Sequence, residues 1–506
     1  MKSKIKFALV LIGALLFNLL FWKEAVGLNA LIFTVFIIAA AFFSFPDYLR
    51  SRNAAIVTGG TLITAVTITL HASELAIFVW VFSIVLLQPF IHYKELKTII
   101  YSSFSALTSF VTSFQLIGDY LKLERKSSIK LKNTLRFLKL TLIPILVLYI
   151  FYWIFKFANP VFDDLSDRFF SAIGDWIRMI FKDLTFAEIL FTLWGFVLIG
   201  WFIYKMKQDY VVHDEKDFGD TIVRKRRKRT VNKFIYGKTG LKQLLKNEYR
   251  TGIIMIMAVN TLLLFVNIID ISTIWFKFRY SPEFDLKQFV HEGTYLLILS
   301  ILLSIGIMIF FFRKHLNFYP KNKLLKVVSY IWIAQNLILL ASVVIRNMHY
   351  IHYFGLAYKR IGVFFFLVMV IFGLISLYIK IKDKKSGFWL IKLNSWAVYI
   401  GFVLFAVPDW DIIIARHNLS HPMKNNIETS FLLTFDNKAL PLIDQNKEIL
   451  KQSKQYNTYR FFYDTYEDVY IQRVNEMVKQ YDTHSWASWN YADAKSYKYF
   501  KNKYTK

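Results

Sequence analysis

The sequence predicts an all-α protein: a polytopic bundle of about eleven transmembrane helices, followed by a small, mainly helical extracytoplasmic C-terminal module. Three observations predict this class. Of the 506 residues, 56% are hydrophobic and 19% are charged, and the mean hydropathy is +0.39, which is too apolar for a soluble chain of this length. The apolar residues gather in runs that approach the roughly 20 residues a helix needs to cross a bilayer. Basic residues gather between alternate runs, as the positive-inside rule requires.

Eleven apolar runs are predicted to cross the membrane as helices, because backbone groups left unpaired in lipid are too costly. In chain order, the runs are 7–22, 28–45, 54–70, 75–91, 140–155, 186–204, 251–269, 294–312, 327–345, 361–377 and 388–407. The first run follows a basic N-terminus as in a signal peptide, but the second run begins so soon that we expect the first to be retained. The membrane domain is predicted to cover residues 1–411, and the C-terminal module residues 412–506.

Basic residues determine the predicted orientation. With the N-terminus in the cytoplasm, the segments predicted to be cytoplasmic hold 37 Lys and Arg residues, and the outer loops hold 11. This bias places the N-terminus inside, and an odd number of spans places the C-terminus outside. The run 99–118 is ambiguous, because it is rich in Ser and Thr and has basic residues on both flanks. We expect it to lie at the interface or to re-enter; a full crossing would reverse the side of the C-terminus.

The formal net charge of +28 raises nucleic acid as a partner, but topology accounts for most of the basic residues, and no nucleic-acid partner is predicted. The predicted cytoplasmic loop 205–250 contains six consecutive basic residues. They are Arg224, Lys225, Arg226, Arg227, Lys228 and Arg229. A basic residue near the membrane surface gains about 1 kcal/mol from anionic headgroups, so the run is a candidate contact with anionic lipid. An acidic partner and a topology anchor are the alternatives.

Several classes of chemistry lack the residues they need. The chain has no cysteine, which excludes disulfides, thiolate metal sites and a cysteine nucleophile. A phosphate-binding loop that ends at Gly237 would need glycine in place of Asn232. A zinc-protease motif that begins at His291 would need histidine in place of Tyr295. No cofactor and no catalytic residue are predicted, and this favours a noncatalytic protein.

Ionisable residues inside membrane spans are costly and often functional. Only Glu188 and Lys392 fall within the runs as drawn, and both lie near a helix end where the side chain can reach the interface. Four uncharged polar residues within the runs are expected to form hydrogen bonds between helices. They are Asn260, Gln335, Asn336 and Asn394.

The predicted outer face carries a cluster of polar side chains, which is the candidate site. Its members are His291, Glu292, His349, His352, Arg360, Asp409, Asp411, His417 and His421. Two histidine pairs, 349/352 and 417/421, have the spacing of residues that share a helical face and can bind zinc. Histidine is also suited to the membrane interface, where its polar tip meets water, and no metal is predicted.

Six short strings near this face support a resemblance to a family. They are Trp-Lys-Glu-Ala-Val-Gly-Leu-Asn at 22–29, His-Glu-Gly-Thr at 291–294, Phe-Gly-Leu-Ala-Tyr-Lys-Arg-Ile at 354–361, Asp-Trp-Asp at 409–411, Ala-Leu-Pro at 439–441 and Trp-Ala-Ser-Trp-Asn at 486–490. Taken in this order, they resemble the bacterial multi-pass membrane proteins catalogued as domain of unknown function 4173. The resemblance implies placement in the bacterial inner membrane and implies no activity.

The helix ends near Glu292, Arg360 and Asp411 are all predicted to open onto the outer face. A Glu/Arg or Asp/Arg pair there would tie the helix ends together and seat the C-terminal module. A polar pocket that binds an envelope ligand is the alternative.

The layout favours a noncatalytic sensor or scaffold, in which the outer module receives a signal or an envelope protein partner and the basic inner loop reports it. A transporter or flippase for an envelope substrate is the second hypothesis, and it is weakened by spans that are poor in charge. A membrane-embedded transferase with its site on the outer face is the third.

Overall fold

A computed structural model describes residues 2–123, 148–149, 151–153, 156, 159–180, 185–205, 215, 218–223, 238–276, 286–312, 315–420, 429–451 and 466–504. Within these ranges the regular secondary structure is helical, and the β structure amounts to an isolated bridge between Thr221 and Lys385. The prediction of an all-α protein is therefore confirmed.

Twelve helices make up the part of the membrane domain that the structure describes. They are α1 (Lys2–Phe21), α2 (Leu28–Ser44), α3 (Arg52–His71), α4 (Glu74–His92), α5 (Ile99–Leu123), α6 (Pro160–Ile180), α7 (Phe186–Ile203), α8 (Lys238–Asp270), α9 (Leu286–Phe311), α10 (Lys323–Phe354), α11 (Tyr358–Asp383) and α12 (Gly387–Ala406). A π-helical turn, Ile271–Trp275, extends α8.

The remaining described helices follow the membrane domain. They are α13 (Trp410–Ser420), α14 (Thr429–Leu432), α15 (Leu440–Gln445), α16 (Lys447–Lys451), α17 (Tyr466–Thr483) and α18 (Tyr491–Tyr504). Short 3₁₀ turns, Asn437–Ala439 and Trp486–Ser488, precede α15 and α18. We call residues 429–451 together with 466–504 the C-terminal segment.

Eight of the described helices are long and apolar enough to cross a membrane, and they are α1, α3, α4, α7, α8, α10, α11 and α12. Each of them covers one of the predicted runs to within one residue. The runs 28–45 and 294–312 correspond to shorter apolar helical stretches, Leu28–Ser44 and Leu297–Phe311, and most of the run 140–155 lies outside the described residues. The protein is therefore a polytopic, membrane-embedded helical bundle, while the count of eleven spans stays a prediction.

The bundle has two distinguishable ends. At one end, which we call the basic end, Lys6 lies 4.1 Å from the Phe45 ring centroid and Lys205 lies 4.7 Å from the ring centroid of Tyr93. The bridge of Thr221 with Lys385 lies at the same end. At the other end, which we call the tail end, the C-terminal segment contacts the turn between α1 and α2, the end of α3 and the α12–α13 corner.

Three apolar cores hold the described helices together. The first is formed by α1 to α5, α7 and α12, and the second by α8 to α11. The third belongs to the C-terminal segment, but it includes Ile361 of α11 and Ile414 of α13. The C-terminal segment therefore shares its core with the helix ends on which it lies.

The run 99–118 forms part of α5, and its serine-rich face is buried. Ser109 accepts a hydrogen bond from the Trp201 indole at 2.8 Å and donates one to Gln88 at 3.3 Å. The Phe110 ring packs edge-on against Trp194 and Trp201 of α7. This helix therefore enters the bundle from the basic end, as a re-entrant or spanning helix does and a surface helix does not.

Parallel helices α8 and α10 pack with a seven-residue register. The amide of Asn260 donates to the Val328 carbonyl at 2.9 Å, and one heptad later the amide of Asn267 donates to the carbonyl of Gln335 at 3.1 Å. The Gln335 side chain in turn donates to Asn260. Repeated polar contacts at heptad spacing fix the register of a helix pair. The predicted hydrogen bonds between helices are present for Asn260 and Gln335.

The other two residues predicted to form hydrogen bonds between helices, Asn394 and Asn336, differ in the partners they have. Asn394 of α12 donates to Ser376 of α11 at 2.8 Å, as expected, whereas Asn336 donates to Trp332 within its own helix.

The expectation that only Glu188 and Lys392 are ionisable residues within the spans is wrong. Asp270 and Arg346 form an ion pair of 2.5 Å between α8 and α10, with side chains only 5% and 9% exposed. Lys380 is also buried and donates to the Phe312 carbonyl at 2.8 Å. These residues were missed because the helices continue past the ends of the apolar runs, so that charges just outside a run are still buried between helices.

We expect Arg346→Met to destabilise the bundle by about 3–5 kcal/mol, because it leaves the Asp270 carboxylate buried without its cation. The double variant Arg346→Met/Asp270→Leu removes both charges and should recover most of the loss. Thermal unfolding of the detergent-purified protein measures both. Arg50→Met, which breaks an exposed pair with Asp47, is the control and should change little. A double variant no more stable than the single one would contradict this account.

Candidate functional site

A buried lysine of the C-terminal segment lies among three carboxylates at the tail end. The Lys438 ammonium is 3.1 Å from Asp411, 3.2 Å from Asp436 and 3.5 Å from Asp409. Its side chain is 2% exposed. It also donates a hydrogen bond to the His71 carbonyl at 3.1 Å. We call these five residues the Lys438 cluster.

The members of the Lys438 cluster are brought together by helix ends. Asp409 caps the first turn of α13 by accepting a hydrogen bond from the Ile412 amide, and Asp411 follows within that turn. His71 is the last residue of α3, so its carbonyl is one of those that a helix leaves without an intrahelical donor. A cation is favoured at a helix C-terminus. Lys438 therefore joins α3, α13 and the C-terminal segment in one contact.

Opposite charges offset the burial of Asp411 and Lys438. Burial alone would raise the pKa of Asp411, but the Lys438 charge and the Tyr358 hydroxyl outweigh it and hold the pKa below its ordinary value. Burial alone would lower the pKa of Lys438, but the carboxylates of Asp411, Asp409 and Asp436 outweigh it and raise this pKa. Asp411 and Lys438 are therefore both charged across the neutral pH range and form an ion pair, whereas burial raises the pKa of Asp436.

A second contact joins the C-terminal segment to the turn between α1 and α2. The Glu24 carboxylate accepts hydrogen bonds from the Ser485 amide at 3.2 Å and from the Ser488 hydroxyl. The Leu28 amide donates to the Trp489 carbonyl at 2.8 Å. Burial acts to raise the pKa of Glu24, but these serine hydrogen bonds outweigh it and lower the pKa, so the carboxylate is charged at neutral pH.

The second contact depends on a close approach of two backbones. A Cβ atom at Gly27 would lie 2.4 Å from the Ser488 carbonyl oxygen, so only glycine fits there. The fully buried Asn29 side chain holds the turn in place, because it accepts from the Gly27 amide at 2.7 Å and donates to the carbonyls of Leu20 and Ala25 at 2.8 Å.

A third set of contacts shapes the turn between α10 and α11. Gly355 has φ = 77°, in the left-handed region that favours glycine. The Asn418 side chain pairs with both backbone groups of Leu356, at 2.6 Å from the amide and 2.9 Å from the carbonyl. Arg360 donates to the Phe354 carbonyl at 2.7 Å, and its guanidinium lies 4.1 Å from the Tyr350 ring centroid. This turn places the Tyr358 hydroxyl within hydrogen-bonding distance of Asp411.

Within the C-terminal segment, Asp444 is a second buried carboxylate. It accepts from the hydroxyls of Tyr470 at 2.8 Å and Tyr499 at 2.6 Å, and it pairs with Lys503 at 2.5 Å. Burial opposes its charge, but Lys503 and the two hydroxyls outweigh it and lower the pKa of Asp444. Helices α15, α17 and α18 are held together around this residue.

The structure brings together part of the predicted outer cluster. Asp409 and Asp411 meet in the Lys438 cluster, and the cation at Asp411 is Lys438. The Arg360 guanidinium donates to the Phe354 carbonyl, and the expected partner Glu292 has its side chain outside the described residues. Lys438 was missed because nothing in its local sequence distinguishes it from a surface lysine. The available sequence signal for a site at this position was the Ala-Leu-Pro string, which begins at the next residue.

The described histidines of the predicted cluster make separate contacts. His349 lies 3.3 Å from the Ile274 carbonyl, the His352 ring packs edge-on against Tyr353, and His417 lies 3.4 Å from Asn418. Among the residues that the structure describes, no group of three or more His, Cys, Asp or Glu side chains is placed to hold a metal ion.

Other predicted site residues lie outside the described part of the chain. They are His421, the basic run Arg224, Lys225, Arg226, Arg227, Lys228 and Arg229, and the side chains of His291 and Glu292, whose backbone belongs to α9.

Comparison with known proteins gives one match. The family model described as Domain of unknown function (DUF4153) matches residues 11–446. The matched region includes the whole Lys438 cluster and ends before α17 and α18. No curated protein and no solved structure matches the chain. The expected resemblance to domain of unknown function 4173 is therefore wrong, because it rested on short strings of residue types that are common where helices meet the membrane surface.

We expect Lys438→Met to release the C-terminal segment, because three carboxylates would then lie together without a cation, at a cost of about 3–5 kcal/mol. Limited trypsin digestion of the purified protein measures the release as faster cleavage within α16, at Lys447 or Lys451. Arg473→Met and Lys503→Met would disturb the interior of the segment, so the matched control is Lys495→Met, an exposed lysine of α18. Cleavage in Lys438→Met at the wild-type rate would refute the role of the cluster in docking.

Proposed function

The chain belongs to the family described as Domain of unknown function (DUF4153), and we propose that it acts in the bacterial inner membrane as a noncatalytic sensor or scaffold. In this proposal the C-terminal segment is an extracytoplasmic module that is seated on the outer ends of the membrane helices. A bundle of eleven spans, with the N-terminus in the cytoplasm, completes the arrangement.

The observation that carries the proposal is the Lys438 cluster. Its ion pairs join the C-terminal segment to helix ends that belong to the first core and to the α12–α13 corner. Tyr358 adds the start of α11, a helix of the second core, through Asp411. A ligand or partner that displaced the segment would therefore change the contacts of both cores at once. This coupling is what a sensor or scaffold needs.

The proposed orientation is supported by charge. Basic side chains gather at the basic end, where they include Arg50, Lys97, Lys205, Lys326 and Lys384. The positive-inside rule favours the cytoplasm for this end. The C-terminal segment contacts the turn between α1 and α2, one helix away from the N-terminus. This relation supports an outer C-terminus whether or not α5 crosses the membrane.

We also propose anionic headgroups as partners of the basic run 224–229. Residues 218–223, which directly precede the run, are attached to the basic end. Asp220 pairs with Lys392 at 2.7 Å, and the Ile222 amide donates to the Lys384 carbonyl at 3.0 Å. The run therefore begins next to the proposed cytoplasmic surface, where anionic lipids attract basic residues. No nucleic-acid partner is part of the proposal.

A transporter or flippase is the second candidate, and the polar seam between α8 and α10 favours it. Asn260, Asn267 and Gln335 lie along this seam, and the buried pair of Asp270 and Arg346 lies near its tail end. Buried polar groups within membrane helices often mark a substrate path. A transferase receives less support, because the carboxylates of the Lys438 cluster are engaged by the ammonium.

The orientation is tested by labelling single cysteines, which the cysteine-free chain allows without a background. We expect a membrane-impermeant maleimide to label Gln472→Cys on α17 in intact spheroplasts, and to label Arg50→Cys only after permeabilisation. Both positions are exposed. Labelling of the two sites in the opposite order would overturn the proposed orientation.

The sensor or scaffold role is tested by photocrosslinking in intact cells from a benzophenone residue at Ile471, which is exposed on α17. We expect a discrete adduct with an envelope protein, and a loss of that adduct when Lys438→Met is added. Lys495→Met is again the control and should retain it. Substrate flux in proteoliposomes that is abolished by Arg346→Asn, without any adduct in cells, would instead establish the transporter.

A further inference from the structure

Helix α6 divides into an apolar half and a polar half along its whole length. At 100° per residue, the apolar residues of Pro160–Ile180 fall within one half of the helix circumference. They are Val161, Phe162, Leu165, Phe169, Phe170, Ala172, Ile173, Trp176, Ile177, Met179 and Ile180. The opposite half holds Asp163, Asp164, Asp167, Arg168, Ser171, Asp175 and Arg178. The division predicts a helix that lies along a boundary between water and an apolar phase.

One side of the apolar half is uncovered by the described part of the chain. Val161, Leu165 and Phe169 are 67%, 59% and 63% exposed. They are spaced four residues apart, so they form one stripe along the helix. A stripe of large apolar side chains that is left open in this way marks an interaction surface.

Neighbouring residues pack against the other side of the apolar half and against the polar half of α6. The Tyr152 ring lies 5.9 Å from Phe162 and 5.8 Å from Phe170, measured between ring centroids. Lys156 pairs with Asp163 and Asp167 at 2.5 Å each. These contacts fix the orientation of the helix about its own axis and leave the stripe of Val161, Leu165 and Phe169 open.

The position of α6 in the chain identifies what covers the stripe. Residues 181–185 connect α6 to α7, whose first turn lies at the tail end because Glu188 accepts a hydrogen bond from Asn18. The first half of α7, a helix long and apolar enough to cross a membrane, carries exposed apolar side chains. They are Phe186, Leu190, Leu193 and Trp194. The open stripe of α6 therefore adjoins a surface that already faces the bilayer.

We propose that α6 lies in the headgroup layer of the membrane at the tail end, with its apolar half in the acyl boundary and its polar half in water. Six charged residues among 21 make a transmembrane position too costly. The polar half carries four Asp and two Arg, so attraction to anionic lipid cannot drive the binding. The insertion is therefore driven by apolar area, and it should be insensitive to salt and to the headgroup charge of the lipid.

Environment-sensitive labels on single cysteines test this position in the full-length protein. Leu165→Cys and Phe169→Cys place a nitrobenzoxadiazole label on the apolar half, and Asp164→Cys and Ser171→Cys place it on the polar half. Leu193→Cys on α7 supplies the reference for a deep, lipid-facing site. The protein is reconstituted in nanodiscs with one protomer each, in phosphatidylcholine alone or in a mixture of phosphatidylethanolamine and phosphatidylglycerol.

We expect the two apolar-half labels to emit at shorter wavelength than the two polar-half labels, in both lipids and at low and high salt. Lipids with a nitroxide near the headgroup should quench the apolar-half labels about twofold more than lipids with a nitroxide deep in the chain, because the helix is buried only about 5–10 Å. The deep nitroxide should quench the Leu193→Cys label more strongly.

Three outcomes would overturn the proposal. Equal emission from both halves would mean that the stripe is not in lipid. Stronger quenching of the apolar-half labels by the deep nitroxide would mean that the helix crosses the membrane. A blue shift that appears in discs with two protomers and is absent in discs with one would mean that a second copy of the chain covers the stripe.

Discussion

The position of the C-terminal segment depends on one desolvated cation. Lys438 is almost completely removed from water, and a buried ammonium is tolerated only where opposite charges and hydrogen-bond acceptors surround it. Asp409 and Asp411 supply those charges only because α13 begins where it does, and His71 supplies its carbonyl only because α3 ends there. The requirement of a single side chain thus fixes how three parts of the chain meet at the tail end.

The same constraint explains how polar groups are distributed in the bundle. Asp270 and Arg346, buried between α8 and α10, satisfy each other, and the amides of Asn260 and Asn267 donate to carbonyls of the facing helix. Lipid offers no partner for such groups, so each has to find one on a neighbouring helix. The seven-residue repeat of the two asparagines makes that partnership possible in only one register. Polarity therefore specifies how these helices pack, while apolar area alone would allow them to slide.

The sequence predicted the fold class well and the candidate site only in part. Apolar runs and charge bias identified the helices, because these are averages over some twenty residues. Pairwise contacts were not predictable in this way, since Asp270 and Arg346 are 76 positions apart and each lies just beyond the end of an apolar run. Lys438 has the local sequence of a surface residue, and its burial is a property of the docked segment. The same averaging hid α6. The apolar and charged residues of Pro160–Ile180 are interspersed along the chain, so their hydropathies cancel in the average. They separate into two halves only when they are placed around the helix axis.

The two ends of the bundle contain different kinds of contact between residues, and this difference bears on the proposed function. At the basic end, lysines lie over aromatic rings, as Lys6 does over Phe45 and Lys205 over Tyr93, and such contacts tolerate small movements. At the tail end, the contacts are directional. The backbone of Gly27 lies too close to the Ser488 carbonyl to admit a side chain, and the Asn418 side chain hydrogen-bonds to both backbone groups of Leu356. Directional contacts of this kind are either made or broken, so a movement of the C-terminal segment would be a discrete event rather than a gradual one. In the proposed sensor role, a discrete event of this kind at the tail end would suit the transmission of a signal.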